Sequence, residues 1–186
     1  MKLVLTLGMA FLTLTIYAQK TLEVLTDVNE NWNTLEWQTQ STIAQDADHE
    51  EKIKVHLYET VRYLKSQNTS VLTPTQITNR ANAINKLKAY ALEGNFPQNE
   101  HAPYKTPIFI DNYNTHCAVG YLMQQSGAKK LAQTISTNEN LAYVEDIMTN
   151  GVAEWAEKNG FTMDELALIQ PTYPDPIGGI SSRHLI

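Results

Sequence analysis

The sequence predicts a mainly α-helical domain: two helical hairpins around a central helix that carries the cysteine, with one or two short β-strands. Three observations predict it. Apolar residues recur at helical spacing along most of the chain, helix start and stop signals bracket those stripes, and β-branched runs are few and short.

The first hairpin is read between Asp46 and Gly94. Asp46, Asp48, Glu50 and Glu51 crowd an opening turn, where carboxylates favour the helix dipole. Asp48 to Lys52 and Glu50 to Lys54 are acid-to-base pairs four apart. Ile53, Leu57, Val61 and Leu64 make the apolar stripe, and Asn68 to Leu72 break it. The run "TPTQ" restarts a helix, with Thr73 as cap, Pro74 in the first turn and Gln76 able to reach back. Ile77, Ala81, Ile84, Leu87 and Ala91 are its expected buried face, and Gly94 its stop.

Asn95 to Lys105 holds two prolines and no periodicity, so it reads as a loop. "TPIFID" reads as a strand of about four residues. "DNYNT" is turn chemistry, and "CAVGYLMQQSG" is the central helix, with Val119, Leu122 and Met123 inward and Gly127 closing it. A short helix bears Leu131 and Ile135, and "LAYVEDIM" is expected to be extended near Tyr143. The second hairpin follows. Val152, Trp155 and Ala156 share a face, Asn159-Gly160 ends it, and Thr162 with Glu165 forms a capping box ahead of Leu166 and Ile169.

Four regions result. Residues 1–18 have the layout of a secretory signal: Lys2, an apolar run to Ile16, and small Ala18 before the cut. Residues 19–45 form an N-terminal extension with helical character, 46–173 a single mainly helical domain, and 174–186 a loosely held tail rich in proline, glycine and serine. The expected protein is bacterial, secreted or periplasmic, with no membrane insertion once the signal is cut. Its net charge of −6 becomes more negative when Lys2 is lost, and no basic run occurs, so nucleic acid and anionic lipid are not expected partners. The expected partner is a protein or cell-envelope ligand of unknown identity, with the oligomeric state open.

"PIFID", then "CAVGYL" and "LALIQPTYP", resemble a family of secreted bacterial domains of uncharacterised activity, seen mostly in gliding and predatory bacteria. "RANAINKLKAYALEGNFPQN" is similar as well, so most of the mature chain is covered. The resemblance implies one secreted domain that includes the cysteine segment. It implies no activity.

Cys117 is the sole cysteine, which rules out an internal disulfide. A cysteine at a helix start can be a thiolate nucleophile, because the unpaired N–H groups there favour the anion. His101 is then the expected base and Asp111 the orienting carboxylate. His116 is the poorer choice, since sequence neighbours point in different directions. The simpler reading makes Cys117 a small buried hydrophobe, which also explains a thiol that survives outside the cytoplasm. An intermolecular disulfide is a third option. Asp111, Asn112, Asn114 and His116 bring metal-type ligands together, but the calcium-loop and zinc spacings fail. No cofactor is expected, and paired thiols for haem are lacking. Glu145-Asp146 is the one acidic pair without a helix start to explain it. Trp155 reads as core, and Trp32 with Trp37 as an exposed binding surface. The leading expectation is a non-catalytic binding or structural domain, with the thiol hydrolase or transferase and the metal-binding module as alternatives.

Overall fold

The computed structural model describes residues 21–100 and 105–173. The signal expected over 1–18 and the tail expected over 174–186 lie outside the described residues. Helices account for most of the rest. The described part of α1 covers residues 21–28, followed by α2 (His49–Ser66), α3 (Pro74–Glu93), α4 (Ala118–Gln125), α5 (Lys129–Glu139), α6 (Val152–Lys158) and α7 (Met163–Ile169). Two 3-10 turns, Glu30–Thr34 and Val144–Asp146, complete the set. Helix α2 packs along α3, α3 on α4 and α4 on α5, while α7 touches α2, α4 and α6.

Local chemistry sets the helix ends. Asp48 accepts from the Glu51 N–H at 2.8 Å and caps α2. Thr73 and Gln76 form the capping box of α3, with Pro74 in its first turn, and Gly94 closes it at φ 68°. Thr162 and Glu165 do the same for α7. Ile53, Leu57, Val61 and Leu64 of α2 are all buried, and with Ile84, Leu87, Val119, Leu122 and Leu166 they belong to the main core.

The buried face of α3 is rotated from the expected one. Ile77 and Ala81 are exposed, whereas Arg80, Ala83 and Tyr90 turn inward beside Ile84, Leu87 and Ala91. Arg80 is the reason. Its guanidinium donates to both Glu165 carboxylate oxygens at 2.6 and 2.7 Å, to the Gly160 carbonyl at 2.6 Å and to the Leu64 carbonyl at 3.0 Å. It also lies over the Phe161 ring, 5.0 Å from the centroid. One side chain thereby ties α3 to the end of α2 and the start of α7.

The expected strands are corrected. Among the described residues none forms, and one antiparallel bridge, Ile110 to His116, stands in "TPIFID" and the turn after it. Asn140 takes the place of a partner strand: its side chain accepts from the Ile110 N–H and donates to the Ile110 carbonyl, both at 2.9 Å. With those groups satisfied by a side chain, no ladder propagates. The segment near Tyr143 is likewise a 3-10 turn, and Glu145 and Asp146 sit exposed within it.

Residues 21–41 are packed rather than peripheral. Leu25, Trp32 and Leu168 form a second buried cluster, with Leu22, Leu35, Trp37, Val55 and Tyr63 against it. Asn29 is fully buried and donates to the carbonyls of Ala167, Leu168 and Gln170. Trp32 donates from Nε1 to His56 Nδ1 at 2.9 Å. Burial holds that imidazole neutral, its pKa pushed down to about 3, while Nε2 faces the Ile169 and Leu168 carbonyls without good hydrogen-bond geometry.

Candidate functional site

Cys117 is placed by a tight reversal of the chain. Ile108 and Phe109 are buried, and the Phe109 carbonyl accepts from the Cys117 N–H at 2.8 Å once the chain has turned through residues 111–115. Gly120 permits the return. A Cβ on it would stand 3.0 Å from Phe109 Cε1 and 3.3 Å from the Phe109 carbonyl oxygen, so a side chain there would press the buried Phe109 back by a few tenths of an ångström. Cys117 becomes the N-cap of α4, its Sγ accepting from the Gly120 N–H at 3.4 Å, the role serine or aspartate usually fills.

The free thiol is 4% exposed. Burial pushes its pKa up to about 11, against weaker support for the anion from the Gly120 and Val119 N–H groups. At neutral pH this sulfur therefore carries its proton. The helix start that pointed to a thiolate is present, and desolvation outweighs it.

Asp111 is buried, and its carboxylate accepts from the N–H groups of Gln98, Tyr113 and Thr115 at 2.8 to 3.0 Å. That is the chemistry of a side chain holding its own turn together. Asn114 completes the turn in the left-handed region at φ 63°. His116 is buried, with Nδ1 3.2 Å from the Asn114 carbonyl oxygen and Nε2 without a hydrogen-bond partner. Burial, more than the nearby Lys129, lowers its pKa. Its carbonyl accepts from the buried Tyr90 hydroxyl at 2.8 Å. His101 lies outside the described residues. Among the described residues no group of three or more His, Cys, Asp or Glu is placed to hold a metal ion. Asn112 donates to Glu100 at 3.0 Å.

The expected tryptophan surface is corrected. Trp32 is 0% exposed, and Trp37 is half-buried with its Nε1–H bonded to Glu59 at 2.8 Å. A tryptophan with a polar partner for its N–H packs inside as readily as a leucine.

Cys117 and Ala118 form one wall of a cavity of about 620 Å³. The other walls are His49, Glu50 and Ile53 from the first turns of α2, Tyr90 near the end of α3, the stretches Gly94 to Asn99 and Lys105 to Ile108, and Gln170, Pro171 and Tyr173 beyond α7. His116 and Asp111 are not among its lining residues. The Tyr90 ring sits between Phe96 and Tyr121, at centroid distances of 5.4 and 4.9 Å. The Gln170 side chain is already committed to the Val144 N–H and the Ala142 carbonyl.

A small polar cluster stands on the wall. His49 Nδ1 lies 3.1 Å from Lys105 Nζ, and the His49 ring is 5.1 Å from that of Tyr173. Desolvation first, then the Lys105 charge, lowers the His49 pKa, so its neutral ring accepts from the ammonium. Tyr173 adopts φ 50°, held by its own N–H and that of Thr172 on the Val28 carbonyl. A non-glycine residue in that region costs of order 1–3 kcal/mol and clusters at ligand clamps.

Sequence reasoning singled out Cys117 and missed His49, Lys105, Tyr90, Phe96 and Tyr173, which come from segments far apart in the chain. The left-handed Tyr173 had no local signal. Against known proteins the chain gives no match: no family model, no curated protein and no solved structure aligns with it significantly.

Proposed function

We propose that the protein is a non-catalytic binding module, secreted or periplasmic, whose ligand seat is the cavity beside Cys117. The observation that carries this reading is the cavity itself. At about 620 Å³ it falls in the range of small-molecule sites, and its walls mix apolar side chains such as Ile53, Phe96 and Ile108 with polar ones such as Glu50, Gln98 and Lys105. The state of the candidate reagents supports it: Cys117 is a protonated helix cap, and the Asp111 carboxylate is engaged by three backbone donors. Export rests on the signal pattern of residues 1–18 and on the resemblance to secreted bacterial domains. No helix among the described residues is long and apolar enough to cross a membrane. We read α2–α3 and α6–α7 as two helical hairpins around α4, an arrangement that leaves the seat at the N-terminal end of α4.

Titration with octan-1-ol, a neutral probe, tests the seat. Methyl resonances of Ile53 and Ile108, which line the cavity, are expected to shift in a saturable, one-to-one manner, with distant methyls unmoved. Shifts that never saturate, or that spread over the whole surface, would remove the seat from consideration.

A further inference from the structure

The cavity wall carries a cation with a weak partner. Lys105 Nζ meets the neutral Nδ1 of His49 at 3.1 Å and the face of Tyr173 at 6.0 Å from the centroid. Among the described residues its side chain forms no salt bridge. The acids around it are occupied or act on it only weakly. Glu50, on the same wall, pairs with Lys54 at 2.7 Å, and Asp48 accepts from the Glu51 N–H. Asp27 acts on Lys105 less strongly than the like charge of Lys52 and partial loss of solvent, both of which disfavour the ammonium. Lys105 is exposed, and an ammonium whose acceptor is neutral gains from a bound anion, because a charged acceptor makes a shorter and stronger hydrogen bond.

We propose that the occupant is a small carboxylic acid, bound as its carboxylate: the head accepts from Lys105, and an aliphatic or aromatic body packs on Ile53, Phe96 and Ile108. This rests on the cavity being a ligand seat, as argued above, and adds the chemistry of what fills it. Among the described residues Lys105 is the one cation of a wall that also offers Ile53, Phe96 and Ile108, and Glu50 on that wall is paired with Lys54, so a carboxylate with an apolar body suits it. No bond is made or broken.

Three probes of one length separate the two levels of the argument in calorimetric titrations of the processed protein at low ionic strength. Octanoate is expected to bind at least about tenfold more tightly than octan-1-ol, and octylammonium more weakly than either. Lys105→Met, which keeps the length and removes the charge, is expected to bring octanoate down to the level of octan-1-ol while leaving octan-1-ol unchanged. Equal binding of octanoate and octan-1-ol, tightest binding of octylammonium, or octanoate binding that ignores Lys105→Met would overturn the carboxylate and leave the seat standing. Absence of binding by all three would overturn the seat as well.

Discussion

Arg80→Met is expected to lower the unfolding free energy by about 3–5 kcal/mol, the cost of breaking a buried ion pair from one side. Arg80 is 4% exposed, and the Glu165 side chain it holds is largely buried too. Methionine fills much of the volume but strands the carboxylate and takes the donors from the Gly160 and Leu64 carbonyls. Stranding, more than the loss of attraction, makes the effect large. Arg80→Lys is expected to recover only part of it, because an ammonium cannot grip both oxygens of Glu165 and reach two carbonyls in one plane. Urea denaturation with a constant m-value checks this. A loss below about 1 kcal/mol for Arg80→Met would place the pair among solvent-exposed bridges of small effect.

Glu59→Leu is expected to be nearly as costly, roughly 3 kcal/mol, and to release one segment of the chain. The Glu59 side chain is fully buried and gathers the Trp37 Nε1–H at 2.8 Å, the backbone N–H groups of Gln40 and Ser41, the Ser41 hydroxyl, and Arg62 at 2.7 Å. Burial alone would raise its pKa, but the hydrogen bonds from Ser41, Trp37 and Arg62 outweigh it and hold the carboxyl below its ordinary value. The charged form is therefore the one that fastens residues 37–41 to α2. Leucine leaves those donors without an acceptor. Limited proteolysis is expected to cut Glu59→Leu between Trp37 and Ser41 while the helices stay intact. Glu59→Leu as resistant there as the parent would show that the segment is held by the Trp32 and Leu25 packing instead.

What was legible in the sequence is what is decided within about four residues. The caps at Thr73 and Thr162 and the stop at Gly94 are decided by residues within one helical turn, so the residue types alone announce them. The stripe of α2 was legible because Ile53, Leu57, Val61 and Leu64 are all buried where their spacing puts them, although His56, Glu59 and Thr60 are buried beside them without a local signal. The stripe of α3 was misplaced because Arg80 looks like a solvent residue until Glu165, Gly160 and Leu64 are brought to it from elsewhere in the chain. The failed strand has the same cause: "TPIFID" has strand chemistry, and the side chain of Asn140 takes up its ladder groups. Trp32 lies in a polar stretch, and nothing local reveals that His56 and Leu168 will enclose it. Of the site, the placing of Cys117 at the start of a helix was legible. The cavity was not, since its walls come from stretches far apart in the chain and Lys105 lies in a loop without periodicity.

The pH dependence of Cys117 labelling in the native protein decides between a wall and a nucleophile. With the thiol pKa near 11, reaction with a small disulfide reagent is expected to be slow at neutral pH and to climb with each step toward strong alkali, until denaturant exposes the sulfur and labelling becomes fast. Rapid labelling at neutral pH, with a midpoint in the acidic or neutral range, would mean a stabilised thiolate facing an open cavity, and would contradict the binding-module reading.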